Sequence, residues 1–264
     1  INYTQADLSK SPITYTISEV IPSDAVNAAG TKYADASNEE KAAGGFKKGG
    51  ITYDSHVETI TVTLSDDGKG TITATPDKNG AAVAFGNSYS SSGSTTLGAE
   101  KTITGRQFKQ GDSFTFTVTP KNDAPAFSKP SVTVEPKSGS SVSVDFGSAT
   151  YTAGGTYEYT VKETKGSIGG IDYDETEYTV TVSVVDNGDG TFNISKTIKV
   201  GKDTKTAITF NNDYSAEGET PLGATKSITG LDFKSGDSFN FTVTPVDGAP
   251  AFSKPSVTVE PESG

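Results

Sequence analysis

Two glutamates occupy positions where the alternation of a β-strand would place an apolar side chain. Alternate residues of a strand point to the same face, so Glu163 shares a face with two tyrosines and a valine of the stretch 157–163. Glu19 stands in the same position of the stretch 13–19. Because a glutamate is rarely buried unless a partner satisfies it, both positions predict a polar contact in a protein core.

A lysine and an asparagine stand in comparable positions on two other predicted strands. Lys101 alternates with the apolar residues of 97–103, and Asn212 alternates with those of 208–214. The residues in the same positions of further copies of these patterns are Lys226 and Asn87. A lysine, a glutamate and an asparagine on the inward faces of three strands form a candidate reactive site.

Burial would give these three residue types a specific chemistry. A lysine that loses hydration has a lowered pKa and becomes a neutral nucleophile, whereas a buried carboxyl has a raised pKa and stays protonated. A protonated glutamate can hydrogen-bond the asparagine carbonyl and shuttle a proton while the amine attacks, so that ammonia leaves and an amide bond forms. Proximity makes this single-turnover reaction possible without a cofactor. The alternative is an ordinary buried salt bridge beside a hydrogen-bonded amide.

Composition argues against several other classes of function. The chain has 264 residues, a net charge of −11, no cysteine, and one histidine, His56. A disulfide framework, a thiolate metal site and a multi-histidine site are therefore impossible, and the acidic charge argues against a nucleic-acid partner. The sequence contains no apolar run of membrane-spanning length, no signal peptide and no Ser/His/Asp set. An acidic, threonine-rich chain without cysteine is typical of an extracellular bacterial protein.

The chain consists of copies of one unit. The segment 96–139 recurs 125 positions later, and so does the segment 85–89. Low hydrophobic content and short turns favour thin β-sandwiches, and a Ser/Gly-rich linker is predicted at 90–95. The predicted domains are the C-terminal part of a first copy at 1–93, a complete copy at 94–217 and the N-terminal part of a third copy at 218–264.

Short motifs in these copies resemble those of a known family. They are Glu-Lys-Thr-Ile-Thr-Gly at 100–105, Tyr-Thr-Val-Lys-Glu at 159–163, Gly-Ile-Asp-Tyr-Asp at 170–174 and Phe-Asn-Asn-Asp-Tyr at 210–214. In this order they resemble the streptococcal-type pilin isopeptide-linkage domain of Gram-positive backbone pilins and surface adhesins. The resemblance implies an all-β fold of tandem immunoglobulin-like (CnaB-like) β-sandwich domains in a rod-like array. It also implies that Lys101 and Asn212 form an isopeptide bond promoted by Glu163, with no cofactor and no metal.

The same resemblance implies that the other two copies are incomplete sites. Glu19 and Asn87 would need a lysine from outside the first fragment, and Lys226 would need a glutamate and an asparagine. One hypothesis is that the third copy of one molecule completes the first copy of a neighbouring subunit. The alternative is that flanking sequence completes each copy.

These observations predict a structural repeat of a Gram-positive cell-surface pilus or adhesin stalk, whose partners are neighbouring repeats or subunits of the same fibre. An enzyme that turns over an external substrate is not indicated, nor is insertion into a membrane. The competing hypothesis is an adhesin module that recognises a host molecule through surface loops such as 23–50. Within that loop, Ser37 and Glu40 have the spacing of a helix capping box. The acidic stretch 186–190 is interpreted as a hairpin turn, with a calcium loop as the alternative.

Overall fold

A computed structural model of the chain describes residues 1–78 and 83–262. The chain divides into two compact units, Ile1–Ala216 and Glu217–Gly264. The helices are a short 3-10 helix at Gln5–Lys10 and helix α1 at Asn38–Ala43. In the described part of the chain, no helix combines the length and the apolar character needed to cross a membrane.

The strands of the first copy form two small sheets. The strands are β1 (Ile13–Ser18), β2 (Lys47–Lys48), β3 (Ile51–Thr52), β4 (Val57–Asp66), β5 (Ile72–Pro76) and β6 (Ser88–Tyr89). The orders within the sheets are β1-β4-β5 and β2-β3-β6, and all pairs are antiparallel. β1 pairs with β4 up to Ser18, so the residue that follows β1, Glu19, lies at the end of this sheet.

The loop between β1 and β2 has a small core of its own. Its helix α1 begins at the predicted capping box, in which Ser37 Oγ accepts from the Glu40 backbone N–H and the Glu40 carboxylate accepts from the Ser37 N–H. The buried residues of this core are Ile21, Ala25, Ala36 and Phe46. The loop is therefore a folded insertion, and the predicted helix is confirmed.

The middle copy forms two larger sheets. Its strands are β7 (Gly93–Thr104), β8 (Phe114–Pro120), β9 (Ser131–Val134), β10 (Ser141–Tyr151), β11 (Gly155–Thr164), β12 (Ile171–Asp172), β13 (Glu177–Asp186), β14 (Phe192–Val200), β15 (Asp203–Lys205) and β16 (Thr209–Tyr214). One sheet has the order β10-β7-β16-β12 and the other β15-β14-β13-β11-β8-β9. The pairing of β16 with β7 is parallel, so the first and last strands of the copy are neighbours.

These two sheets enclose one apolar core. Alternate residues of β8, namely Phe114, Phe116 and Val118, are buried, as a strand with one face on the core requires. Phe116 and Phe210 come from opposite sheets, and their ring centroids are 5.3 Å apart. The predicted all-β sandwich is confirmed. The turn between β13 and β14 is a hairpin, also as predicted.

In the second unit, residues 217–262 contain one hairpin, of β17 (Phe239–Thr242) and β18 (Ser256–Val259). An open, largely apolar groove lies over this hairpin, lined among others by Leu222, Lys226 and Phe241. Residues 222–228 have no strand structure, although the sequence predicted a strand there.

The prediction of strands at the two incomplete sites was therefore wrong in part. Around Asn87, strand structure is limited to β6, and residues 83–87 have none; the first part of that predicted strand, residues 81 and 82, lies outside the described residues. In the middle copy the corresponding strands, β16 and β7, hydrogen-bond to each other. Among the described residues neither 83–87 nor 222–228 has such a partner, and an isolated strand leaves its backbone groups unpaired. Residues 93–95, predicted as linker, belong to β7.

The first copy contacts the β13–β14 hairpin of the middle copy. Tyr89 Oη donates to Asp186 Oδ1 and Ser91 Oγ donates to Asp186 Oδ2, each at 2.7 Å. Gly50 and Gly190 both have positive φ angles, and a Cβ added to Gly50 would lie 2.7 Å from Gly190 Cα. The two backbones thus meet at a distance that only glycine permits.

Candidate functional site

Three strands bring the lysine, glutamate and asparagine of the middle copy together. Lys101 and Asn212 lie on β7 and β16, where Lys101 is directly opposite Phe210 in the parallel register. Glu163 lies on β11 of the facing sheet. Because all three side chains point inward, the glutamate reaches across the sandwich to two residues of neighbouring strands.

The Glu163 carboxylate contacts both other side chains. Lys101 Nζ donates to Glu163 Oε2 at 3.0 Å, and Asn212 Nδ2 donates to Glu163 Oε1 at 2.9 Å. Lys101 Nζ also lies 3.4 Å from the Phe210 carbonyl oxygen. Lys101 and Asn212 are 0% exposed and Glu163 is 6% exposed. Water therefore has no access to the site, and each polar group depends on the others.

Burial controls the ionisation of the pair. It lowers the pKa of the Lys101 ammonium and raises the pKa of the Glu163 carboxyl, and in each case this effect outweighs the attraction between the two groups. The Phe114 ring, with its centroid 5.1 Å from Lys101 Nζ, is part of the apolar wall. Both shifts favour a neutral amine beside a protonated carboxyl, which are the forms that a nucleophilic attack requires.

The asparagine amide is oriented differently from the sequence-based expectation. The backbone N–H of Asp174 donates to Asn212 Oδ1 at 2.8 Å. A backbone N–H can only donate, so this contact fixes the oxygen on that side and turns the NH2 group towards Glu163. The expectation that Glu163 bonds the asparagine carbonyl is therefore wrong, because Asn212 presents its NH2 group to Glu163.

The first copy contains the glutamate and the asparagine in the same arrangement. Asn87 Nδ2 donates to Glu19 Oε1 at 2.7 Å. Glu19 Oε2 is buried and has no hydrogen-bond partner among the described residues. In the middle copy the equivalent oxygen, Glu163 Oε2, accepts a hydrogen bond from Lys101 Nζ. Among the described residues, no amine occupies the position that Lys101 Nζ has in the middle copy, and Asn87 itself is exposed.

Lys226 lies in the second unit and is exposed. Its Nζ is 4.8 Å from the centroid of the Phe239 ring. Lys101 has the same kind of contact with Phe114, the residue that corresponds to Phe239 by the repeat of 125 positions. The two lysines therefore share one contact with an aromatic ring, although Lys101 is buried and Lys226 is exposed.

Sequence reasoning missed the contribution of Asp174. The signal was present, because the motif at 170–174 was part of the family resemblance, but nothing in its composition indicates that its last backbone amide meets Asn212. The apolar wall made by Phe114 was predicted only as core.

The fold and this buried site define a class: a β-sandwich domain with a lysine, a glutamate and an asparagine in contact in its core. The family described as FctA, Spy0128-like isopeptide containing domain, matches residues 2–90 and 97–215. The chain belongs to this family.

Solved structures similar to the chain include major pilins of Streptococcus pyogenes. One is 19% identical with a TM-score of 0.36, and the match covers 64% of this chain and 70% of that chain. The T-13 major pilin is 22% identical with a TM-score of 0.34, and the match covers 47% of this chain and 53% of that chain. No match was found among curated proteins.

Proposed function

We propose that the middle copy forms an isopeptide bond between Lys101 and Asn212, promoted by Glu163, and that the chain is a covalently stapled part of a Gram-positive pilus or adhesin stalk. The observation that carries the proposal is the buried carboxyl of Glu163 in hydrogen-bond contact with both other side chains. Membership of a family of isopeptide-containing domains supports the same reaction.

The two oxygens of Glu163 face the two nitrogens whose protons must move. Oε2 is next to the amine of Lys101, and Oε1 is next to the NH2 group of Asn212. When Lys101 Nζ attacks Asn212 Cγ, Glu163 takes a proton from Nζ through Oε2 and delivers a proton to Nδ2 through Oε1. The Cγ–Nδ2 bond breaks, ammonia leaves, and Glu163 ends with the protons it had at the start. The reaction occurs once and needs no cofactor.

The position of the bond supports a mechanical role. It would connect β7 and β16, the first and last strands of the complete copy, so a pulling force could pass from one to the other without unfolding the strands between them. By the loop-entropy argument used for disulfides, closing a loop of about 110 residues adds roughly 4 to 5 kcal/mol of stability. Copies joined end to end, each stapled in this way, suit the stalk of a surface fibre.

The stalk proposal places the chain on the bacterial cell surface, with neighbouring repeats or subunits of the same fibre as its partners. Recognition of a host molecule through the loop 23–50 stays a prediction.

For the first copy we propose the same chemistry with a lysine supplied by another strand. The unpartnered, buried Glu19 Oε2 supports an open lysine position. Lys226 of a neighbouring molecule is the proposed donor, since it corresponds to Lys101 in the repeat and contacts the corresponding phenylalanine ring. The products would be covalent multimers.

Peptide mapping tests the bond in the middle copy. After digestion of the full chain, the proposal expects one branched product that joins the peptides containing Lys101 and Asn212, lighter than their sum by one ammonia. In the variant E163Q, which keeps the shape of the side chain but cannot relay protons, the two peptides should appear separately. Separate peptides from the unchanged chain would contradict the proposal.

A further inference from the structure

The amide oxygen of Asn212 receives a hydrogen bond from the protein backbone. The donor is the N–H of Asp174, at 2.8 Å. When an amine attacks Cγ, the electrons of the carbonyl double bond move onto this oxygen, which becomes negatively charged. A donor already aimed at it stabilises that charge without any rearrangement.

The Asp174 side chain holds this N–H in place. Its Oδ1 accepts from the backbone N–H of Thr176 at 2.9 Å, and its Oδ2 accepts from the backbone N–H of Asn211 at 2.8 Å. Asn211 precedes Asn212 on β16. One carboxylate therefore ties the turn after β12 to the strand that carries the reacting amide.

The first copy repeats this geometry with different neighbours. The Asp54 N–H donates to Asn87 Oδ1 at 2.8 Å. The Asp54 carboxylate accepts from the backbone N–H groups of His56 at 3.0 Å and of Gly86 at 2.8 Å. Residues 83–87 are not in a strand, so the arrangement persists where the strand pairing of the middle copy is missing. The aspartate, and not the complete sandwich, therefore holds the backbone N–H against the asparagine oxygen.

We infer that the backbone N–H of Asp174 is the oxyanion donor of the cross-linking reaction, and that the Asp174 carboxylate is the positioning group that aims it. The inference rests on the proposed function. Nζ of Lys101 adds to Cγ of Asn212 and places negative charge on Oδ1, which the Asp174 N–H stabilises. The charge then returns to form the new amide carbonyl as ammonia leaves, while Glu163 moves the proton from Nζ to Nδ2.

The direct test replaces the amide of residue 174 by an ester, which removes the N–H and keeps the side chain. This matters because the charge of Asp174, in addition to burial, raises the pKa of Glu163, so that a change of side chain alters more than one property. The full chain, assembled by ligation in denaturant, is refolded and its loss of ammonia is followed by mass spectrometry. The same ester at Glu175 is the matched control.

We expect the Asp174 ester to react about 100- to 1000-fold more slowly than the Glu175 ester, the usual effect of losing one oxyanion donor. Near-ultraviolet circular dichroism of the refolded chains checks that both fold. Equal rates for the two esters would overturn the inference. If the unmodified chain loses no ammonia at all, the proposed function fails and the inference fails with it.

A second pair of variants applies if the ester chain does not fold. D174A and D174N both remove the charge, but D174N keeps one oxygen that can accept a backbone N–H. We expect D174N to react faster than D174A, and D172A, on the exposed side of β12, to react as fast as the unchanged chain. Equal rates for D174A and D174N would contradict a positioning role for the side chain.

Discussion

At the scale of single residues, desolvation decides the chemistry of Lys101 and Glu163. Taking both charges out of water costs several kcal/mol each, and one contact at 3.0 Å repays this only in part. The pair therefore shifts towards its neutral form. A plain buried salt bridge would have the same contacts, but only the cross-link releases ammonia.

The ionisation states predict a bell-shaped dependence of the cross-linking rate on pH. The rate should fall in acid because the Lys101 amine becomes protonated, and in alkali because the Glu163 carboxyl loses its proton. Since burial lowers the pKa of Lys101 and raises that of Glu163, the reactive neutral pair should be more abundant at the optimum than it would be for two exposed groups. Uncross-linked chain refolded from denaturant across a pH series, with ammonia loss followed by mass spectrometry, measures the profile.

The control for this profile is E163Q, which should remain unreacted at every pH. A rate that rises steadily with pH, as for an exposed lysine, would contradict the role of a protonated Glu163.

The inward positions of the three candidate residues could be predicted from sequence because strand alternation assigns each side chain to a face. Lys101, Glu163 and Asn212 each interrupt an apolar face, and that conflict is visible in the sequence. The contact of Asp174 with Asn212 could not be predicted in this way. This contact depends on where the turn after β12 meets β16. Three other strands, β13, β14 and β15, separate these two elements along the chain.

At the scale of strands, the parallel pair β7 and β16 is the element on which the site depends. The hydrogen bonds between them run from the pair Thr209 and Glu100 to the pair Asp213 and Thr104. Parallel pairing lets the first and last strands of the copy lie side by side. A bond between their side chains therefore closes nearly the whole copy.

Removal of the cross-link should destabilise the middle copy strongly. We expect N212A to lower the free energy of unfolding by roughly 4 to 5 kcal/mol through the lost loop closure alone. The matched control is N211A, because Asn211 is adjacent but exposed, and its contact with Asp174 uses the backbone. Denaturant unfolding of both variants measures the difference. Equal stability of N212A and the unchanged chain would contradict a covalent staple.

Among the described residues, the predicted strands are present where a neighbouring strand pairs with them, and they are absent where no neighbouring strand is available. The strands around Lys101 and Asn212 are formed as predicted. The segment 222–228 has nearly the same pattern as 97–103 and yet is not a strand. The apolar alternation of a sequence indicates which face a strand would bury. Whether the strand forms depends on a neighbouring strand with which it can pair.

At the scale of the whole chain, the junction between the first and middle copies is a defined contact. Asp186 accepts from two hydroxyl groups of the preceding segment, those of Tyr89 and Ser91. These hydrogen bonds lower the pKa of Asp186, and the hydrogen bond from Tyr89 has the largest effect. The carboxylate is therefore charged at neutral pH. From composition, the sequence predicted a Ser/Gly linker and a domain boundary here. The contact itself could not be predicted, because the hairpin residues that meet this segment are far away in the chain.

Loss of the Asp186 carboxylate should loosen this junction without affecting the cross-link. The chain has no cysteine, so spin labels can be placed uniquely with T73C and K162C, one in each copy. We expect D186A to broaden the distance distribution between the labels, since both hydroxyl groups lose their acceptor. D123A, at an exposed turn, is the control. An unchanged distribution in D186A would show that these hydrogen bonds do not hold the junction.

The proposal for the first copy predicts a reaction between molecules. A mixture of the variants N87A and K226A should give a covalent dimer on a denaturing gel, because the first keeps Lys226 and the second keeps Glu19 and Asn87. Each variant alone should remain monomeric. Addition of E19Q to the K226A chain should abolish the dimer. A mixture that stays monomeric would contradict the proposal that Lys226 of one molecule reacts with Asn87 of another.

The intact mass of the purified chain tests the central claim most directly. The account predicts a mass lower than the sequence mass by one ammonia for the bond between Lys101 and Asn212, and the full sequence mass in both K101A and E163Q. A further deficit in covalent multimers would come from the first copy. The full sequence mass in the unchanged, folded chain would contradict the account and would reduce Lys101, Glu163 and Asn212 to a buried polar network.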